Sequence, residues 1–182
     1  MTRVDIISIT LVVSIIILSG AFMQGITGLV TGTAQVEVTG VAQISLPTSS
    51  VNFGQITPGA TNDTTDDNPA PFVIQNDGNV IVNVSIERDP SSTPMFNGTG
   101  GGDNTASFQF KADNTTEANS FNWETSTTSW TNVPGTTTTN FLNELGHQKQ
   151  KDSAEVDLLI NVPEDEPAGV KSESLIFTAM QA

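Results

Sequence analysis

The chain of 182 residues contains no cysteine and few basic residues. Without cysteine it can form no disulfide framework, no thiolate zinc site and no cysteine nucleophile. Lys and Arg number 6 against 20 Asp and Glu, which gives a formal net charge of −14. A surface with this charge repels the phosphates of nucleic acids and anionic lipid headgroups. The composition therefore predicts that nucleic acid is not a partner.

Motifs for catalysis are also missing. The one histidine, His147, lies in the polar string GHQKQKD, and no serine lies in a G-x-S-x-G context. A histidine in an exposed, charged loop is typically solvated rather than part of a triad. The glycine-rich stretch 97–104 has no lysine after it, so it predicts a flexible loop and not a phosphate-binding loop. We expect no enzymatic activity and no cofactor.

The chain does have a long apolar segment near its N-terminus. Residues 4–30 carry one charged side chain, Asp5, among Ile, Val and Leu. As a helix this segment would span about 40 Å, more than the roughly 30 Å hydrocarbon core of a bilayer. Three interpretations are open. The segment is a cleaved signal peptide with its apolar region at 6–18, a retained membrane anchor, or a pilin-type helix that leaves the membrane for a filament core.

Particular residues of this segment favour the third interpretation. Asp5 is unusual in a signal peptide, whose first residues are basic and whose apolar region is neutral. Gly20 and Gly25 belong to a series of glycines at spacings that let helices approach closely. The segment resembles the N-terminus of type IV pilins and archaellum-type subunits, in which a hydrophobic helix with an acidic fifth residue precedes a β-rich head. The resemblance implies that this helix assembles the filament, so a charge at Ile16 or Ile17 should prevent assembly.

After residue 30 the pattern changes from continuous hydrophobicity to alternation of apolar and polar residues, which is typical of strands. The stretch 33–46 starts this pattern with Val36 and Val38. Predicted strands follow at 51–54, 72–75, 80–88, 106–112, 119–123, 153–162 and 172–180. The Asn-Asp-Gly sequence at 76–79 predicts a hairpin over 72–88. Only 139–146 has a pattern compatible with a short helical turn.

So many short strands separated by Gly, Pro, Asn and Asp predict a mainly β protein. We expect a single immunoglobulin-like β-sandwich, comprising residues 33–182, preceded by an N-terminal hydrophobic helix at 1–32. The acidic string 163–167 is interpreted as a charged turn before the last strand.

The stretch 51–86 carries a second resemblance. It consists of a hydrophobic strand, a Pro-Gly turn, an acidic loop, a strand, an Asn-x-Gly turn and another strand. This order is similar to the head of TasA-like and camelysin-like matrix fibre subunits and of related archaeal surface filaments. The resemblance implies an incomplete sandwich that an N-terminal strand of the neighbouring subunit completes. Residues 33–46, including Val36 and Val38, are the candidate donor strand, and identical subunits are the expected partners.

An acidic loop provides the one candidate metal site. Asp63, Asp66 and Asp67 supply the carboxylate oxygens that calcium prefers, although their spacing does not match an EF-hand. The simpler interpretation is a solvated turn, and calcium is kept only as a possible ligand.

Four N-x-S/T sequences predict N-glycosylation, provided that the chain is exported. They begin at Asn62, Asn83, Asn97 and Asn114. Threonine-rich stretches at 125–131 and 135–140 are candidate sites for O-glycosylation or flexible loops.

Two functional classes follow from these observations. The preferred one is a structural subunit of an extracellular, cell-surface filament that is membrane-bound before assembly and polymerises through its N-terminal segment. The alternative is a membrane-anchored surface domain for adhesion or coating that does not polymerise.

Overall fold

The computed structural model describes residues 35–182, and all statements below concern these residues. The predicted N-terminal helix lies outside the described residues, as do its candidate assembly residues Asp5, Ile16, Ile17, Gly20 and Gly25. The chain divides into two compact units, Met1–Val38 and Thr39–Ala182, and only the second is described in full. In the described part of the chain, no helix has the length and hydrophobicity to cross a membrane.

Nine antiparallel strands make up the second unit. They are β1 (Ile44–Thr48), β2 (Thr61–Asp63), β3 (Phe72–Asn76), β4 (Val82–Arg88), β5 (Phe108–Asp113), β6 (Thr131–Asn132), β7 (Thr139–Leu145), β8 (Ser153–Asn161) and β9 (Leu175–Gln181). Six of them form one sheet in the order β1-β3-β8-β5-β6, with β2 paired to β8. The other three form a second sheet in the order β7-β4-β9. The prediction of a mainly β protein is confirmed.

The alternating sequence pattern places one set of side chains between the sheets. In β8 the buried apolar residues are Ala154, Val156, Leu158 and Ile160, and in β4 they are Val82, Val84 and Ile86. Together with Phe110 and Phe141 they belong to one hydrophobic cluster. Removing apolar surface from water contributes roughly 25 cal/mol per Å2, so this shared core holds the two sheets together.

The predicted hairpin over 72–88 is wrong. β3 belongs to the six-stranded sheet and β4 to the three-stranded sheet, so the Asn-Asp-Gly turn connects the sheets instead of pairing two strands. Asn76 is buried there, and its side-chain amide donates to the carbonyl oxygens of Val80 and Leu145 at 2.9 and 3.2 Å. Turn chemistry alone did not reveal this crossover because the pairing depends on distant strands.

Four other local predictions need correction. Residues 139–146 do not form a helical turn, because most of this stretch is β7, which pairs with β4 and buries Phe141 and Leu142. Residues 51–54 and 119–123 are not strands. In the predicted strand 33–46, pairing begins only at Ile44, where β1 meets β3.

Candidate functional site

The two sides of the second unit end differently. On one side, β5 and β7 are in contact, and the rings of Phe110 and Phe141 pack edge to face with centroids 5.4 Å apart. On the other side, β9 is the last strand of the three-stranded sheet. One edge of β9 pairs with β4 along its whole length, from Leu175 to Gln181. No described strand pairs with its other edge, so this edge is open.

A groove of about 1280 Å3 lies next to this open edge. Most small-molecule sites measure about 300–1,000 Å3, so the groove has room for a longer ligand. Its lining is mainly apolar and includes Leu46, Val51, Phe53, Ile56, Phe72, Met95, Leu175 and Phe177, all of which remain partly exposed. We call this feature the β9 groove. It is a site where further apolar side chains could be buried.

One wall of the β9 groove is residues 49–58, a stretch that belongs to no strand. Val51, Phe53 and Ile56 are packed against the core, whereas Asn52, Gly54 and Gln55 are exposed. Between residues 49 and 56, none of the described backbone groups pairs with another backbone group. Apart from the Gly54 N–H, which donates to Asn52 Oδ1 at 2.9 Å, these backbone groups could pair with an incoming strand.

The opposite wall, residues 166–175, is fixed by a buried carboxylate. Glu166 is only 7% exposed, and its Oε2 accepts hydrogen bonds from the backbone N–H groups of Asn97 and Gly98 at 2.8 and 2.7 Å. Burial opposes ionisation of Glu166, but its ion pair with Lys171 and these hydrogen bonds outweigh burial and lower its pKa. Within the acidic string 163–167, Glu166 is therefore an anchor rather than a solvated charge.

The acidic string also binds the start of the glycine-rich stretch 97–104, which contains no strand or helix. Asp165 accepts hydrogen bonds from the backbone N–H and the hydroxyl of Thr99, each at 2.7 Å. With Glu166 bound to Asn97 and Gly98, three successive residues of the stretch are attached to the groove wall. The first part of the predicted flexible loop is thus a supported segment.

A second carboxylate of this wall, Glu173, has its pKa shifted in the opposite direction. Its Oε2 accepts a hydrogen bond from the backbone N–H of Met95 at 2.7 Å, whereas its Oε1 is buried without a partner. Burial raises the pKa of Glu173, and the nearby charge of Asp103 adds to the effect. Glu173 Oε1 is therefore a buried oxygen to which a new hydrogen-bond donor could bind.

The candidate donor segment is divided at Thr39. Asn79 holds the chain after this point, since its side chain accepts a hydrogen bond from the N–H of Val41 and donates to the carbonyl oxygen of Thr39, at 2.6 and 2.9 Å. Before this point, Val36 and Val38 are 84% and 75% exposed. These two valines alternate with polar residues and are not covered by any described residue.

The predicted calcium ligands act as turn residues. Asp63 Oδ1 accepts hydrogen bonds from the N–H and hydroxyl of Thr65, and Asp66 Oδ1 accepts one from the N–H of Asn68. Asp67 has a positive φ of 60° in the same turn. The described residues contain no group of three or more His, Cys, Asp or Glu side chains arranged to hold a metal ion. Calcium binding at this loop stays a prediction.

The four predicted glycosylation sites differ in accessibility. Asn97 and Asn114 are exposed in loops, whereas Asn62 in β2 and Asn83 in β4 are only partly exposed. The Asn83 side chain is also in use, because its Oδ1 accepts a hydrogen bond from the N–H of Glu144 at 2.9 Å. Asn97 and Asn114 are therefore the more favourable attachment points.

His147 lies beyond the end of β7, away from the β9 groove. It lines a separate depression of about 390 Å3 together with Phe121, Glu144 and Lys151. Its Nδ1 is buried and has no hydrogen-bond partner among the described residues.

Comparisons with known proteins do not identify the chain. No family model matches it, and no curated protein matches it.

Proposed function

We propose that this protein is a structural subunit of an extracellular filament, in which the N-terminal segment of one subunit completes the fold of the next. The observation that carries the proposal is the apolar β9 groove beside an unpaired strand edge, in a chain that also exposes Val36 and Val38. Identical subunits are the partners in this account.

The first argument is the mismatch between the two sheets. A six-stranded sheet faces a three-stranded one, and partly exposed side chains such as Phe53, Phe72 and Phe177 remain on the side where the smaller sheet ends. An added strand beside β9 would cover them. It would also pair the free edge of β9, which in an isolated subunit is a site for unwanted association. With this strand in place, we assign the fold to the immunoglobulin-like β-sandwiches.

The second argument concerns the donor. Residues 39–46 contact their own subunit through Asn79 and through β1, so the donor is restricted to residues 33–38. Six residues in an extended conformation span about 20 Å, which is close to the length of the seven-residue β9. Backbone hydrogen bonds would supply affinity, and Val36 and Val38 would supply the side chains that enter the groove.

The third argument concerns location. The apolar segment at 4–30 is suited to membrane insertion before assembly and to burial in a filament core afterwards. Strand donation and helix packing would then act together along the filament. The exposed sequons at Asn97 and Asn114 fit a cell-surface position, where glycans stand in solvent.

Negative-stain electron microscopy of the purified full-length chain tests the proposal. We expect filaments from the full chain and dispersed particles from residues 39–182, which correspond to the second compact unit. The truncated chain should retain a β-type circular dichroism spectrum, which separates loss of assembly from loss of folding. Filaments formed by folded 39–182 would contradict strand donation.

The alternative is a membrane-anchored surface domain for adhesion or coating. In that case the full chain would associate with membranes but remain dispersed after detergent extraction. This result, combined with a folded head, would replace the filament proposal.

A further inference from the structure

A lysine and an aspartate face each other on the outer surface of the six-stranded sheet, away from the β9 groove. Lys111 of β5 and Asp157 of β8 are directly opposite in the antiparallel register. Side chains at such a pair of positions lie close together because their Cα atoms are within about 4.5–5.5 Å. Side chains alternate between the two faces of β5 and β8, and Phe110 and Leu158 are among those that point into the core. Lys111 and Asp157 are next to these residues in sequence and point to the other face.

The two side chains are in contact and shielded from water. Lys111 Nζ lies 3.0 Å from Asp157 Oδ2, and the exposed fractions of the two side chains are 15% and 3%. Thr64 donates its hydroxyl to the other oxygen, Asp157 Oδ1, at 2.7 Å. The Trp130 ring covers the ammonium group, with its centroid 5.4 Å from Nζ. The carboxyl group is thus fixed in position with the nitrogen beside it.

Two further carboxyl groups stand next to the pair. Asp113 accepts a hydrogen bond from Lys111 Nζ, and Glu155 is opposite Asp113 in the register. Burial raises the pKa of Glu155 to about 7, and the charges of Asp67, Asp157 and Asp113 add to the effect while Lys111 opposes it. Near neutral pH, Glu155 therefore exists partly as the acid. Asp113 is thus a proton acceptor at Lys111 Nζ, and Glu155 is a proton donor near the Asp157 carboxyl group.

We propose that Lys111 and Asp157 form an intramolecular amide bond. Nζ loses a proton to Asp113 and attacks the Asp157 carboxyl carbon, forming the C–N bond. The C–O bond to the departing oxygen then breaks, and that oxygen leaves as water with protons supplied by Glu155 and the nitrogen. The sum is an ammonium and a carboxylate giving one amide and one water, so no oxidant, activating group or other reactant is consumed.

The fixed positions of the two groups favour this reaction, whereas the charge on Lys111 opposes it. Two groups held side by side behave as though present at up to about 10⁵–10⁸ M when their geometry is reactive, and here Lys111 Nζ is held 3.0 Å from Asp157 Oδ2. Burial opposes the charge on Lys111, but hydrogen bonds to Asp113 and Asp157 outweigh it and raise the lysine pKa. The starting state is therefore the ion pair, and transfer of its proton to Asp113 is the step that the surroundings must assist.

Asp157 rather than Asp113 is assigned as the reacting acid. Asp157 is buried and held by Thr64, whereas the Asp113 side chain is 32% exposed. A bond from β5 to β8 would also connect two central strands of the six-stranded sheet, 46 positions apart in sequence (157 minus 111). The chain between them would be closed into a loop, which stabilises the folded state relative to the unfolded chain.

Mass spectrometry of a tryptic digest of the folded full-length chain tests the proposal. Trypsin cleaves after Lys and Arg, and residue 111 is the only such site between Arg88 and Lys149. We expect peptide 89–149, uncleaved at Lys111, joined to peptide 152–171, with the loss of one water. Separate peptides 89–111, 112–149 and 152–171 at their full masses would overturn the proposal. Loss of water confined to 89–149 would also overturn it, because that result indicates a bond from Lys111 to Asp113.

Three variants sharpen the test, each with the β content of the parent chain checked by circular dichroism. Asp157→Asn should still form the bond but lose ammonia instead of water, which no change in folding can imitate. Lys111→Arg keeps the positive charge and should give unjoined peptides. Glu155→Gln keeps the shape without the transferable proton, and general acid assistance is worth about 10²–10⁴-fold in rate, so freshly refolded protein should form the bond slower by that factor. Joined peptides in Lys111→Arg, or an unchanged rate in Glu155→Gln, would contradict the assigned roles.

Discussion

The two sides of the second unit show how the same core can be closed or left open. Near β5 and β7, strands of both sheets meet and Phe110 and Phe141 bury each other. Near β9, Phe72 and Phe177 also pack edge to face, with centroids 5.7 Å apart, but both rings remain partly exposed. Equivalent aromatic contacts therefore complete the core on the closed side and leave a groove on the open side.

This difference indicates what each side does. A residue on the closed side contributes to folding of the subunit, because its contacts are all made within one chain. A residue of the β9 groove contributes fewer contacts within the chain and is available for contact with another. Substitutions on the two sides should therefore separate stability from assembly.

The largest expected effect follows from preventing strand donation. Proline at both Val36 and Val38 removes two backbone donors and cannot pair in a sheet interior. We predict that Val36→Pro/Val38→Pro abolishes filaments seen by electron microscopy while the head keeps the melting temperature of the parent. As a control, Thr136→Pro changes an exposed residue on the closed side and should leave filaments unchanged. Filaments from the double variant would contradict the role of residues 33–38.

A matched pair of phenylalanine truncations tests the two sides directly. Phe141→Ala on the closed side should destabilise the subunit by about 3–5 kcal/mol, because it creates a cavity in a filled core. Phe53→Ala in the β9 groove should cost less in the isolated subunit, since Phe53 is only partly buried. Its larger effect should be on assembly, because Phe53 lines the groove that the donor strand enters. Urea unfolding of residues 39–182 and sedimentation of the full chain measure the two quantities, and equal unfolding losses would contradict the comparison.

The two wall carboxylates should respond oppositely to pH. The pKa of Glu166 is lowered by folding, so its stabilisation is present above the ordinary glutamate value and lost as pH falls through the folded value. Glu166→Gln should therefore lower the melting temperature at about pH 7 and have a smaller effect at about pH 3. Thermal unfolding of residues 39–182 at both pH values measures this effect.

The pKa of Glu173 is raised by folding, so its cost appears as pH rises above the ordinary value and is complete above the folded value. Glu173→Gln should raise the melting temperature at about pH 8 and change little at about pH 4. If both substitutions shift the melting temperature in the same direction at neutral or higher pH, the predicted difference between Glu166 and Glu173 is wrong.

The smallest expected effects concern regions remote from the groove. We predict that His147→Ala and the combined change Asp66→Asn/Asp67→Asn leave filament formation unchanged, because these side chains are distant from the proposed contact. Adding a calcium chelator should likewise leave filaments intact. Dissolution of filaments by the chelator, or by the aspartate changes, would instead identify the acidic loop as a calcium site.

Much of the strand content was predictable from the sequence, because period-two alternation depends on local residues. The stretch 153–162 predicts β8 almost to its ends, and 172–180 overlaps β9. Strand partners were not predictable in the same way. The turn at 76–79 has the composition of a hairpin turn, yet it connects two sheets because β3 pairs with β1 and β8 while β4 pairs with β7 and β9.

The candidate site was predictable only in part. The alternating sequence identified Val36 and Val38 as residues of a candidate donor strand, but the groove they would fill is formed by segments far apart in the chain. Glu166 shows why, since its carboxylate lies in an acidic string that is typical of a solvated turn. Its burial depends on backbone groups of Asn97 and Gly98, which no local pattern reveals.

The absence of cysteine makes one measurement especially direct, because any disulfide must involve introduced residues. Val38→Cys and Ser172→Cys, made in separate full-length chains, place one thiol on the donor segment and one at the β9 groove. After the two are mixed, assembled and mildly oxidised, we predict a disulfide-linked heterodimer on non-reducing gels. Val38→Cys mixed with Thr136→Cys, on the closed side, should give no comparable product. Efficient pairing with Thr136→Cys, or no pairing with Ser172→Cys in assembled protein, would contradict donation of residues 33–38 to the groove of the next subunit.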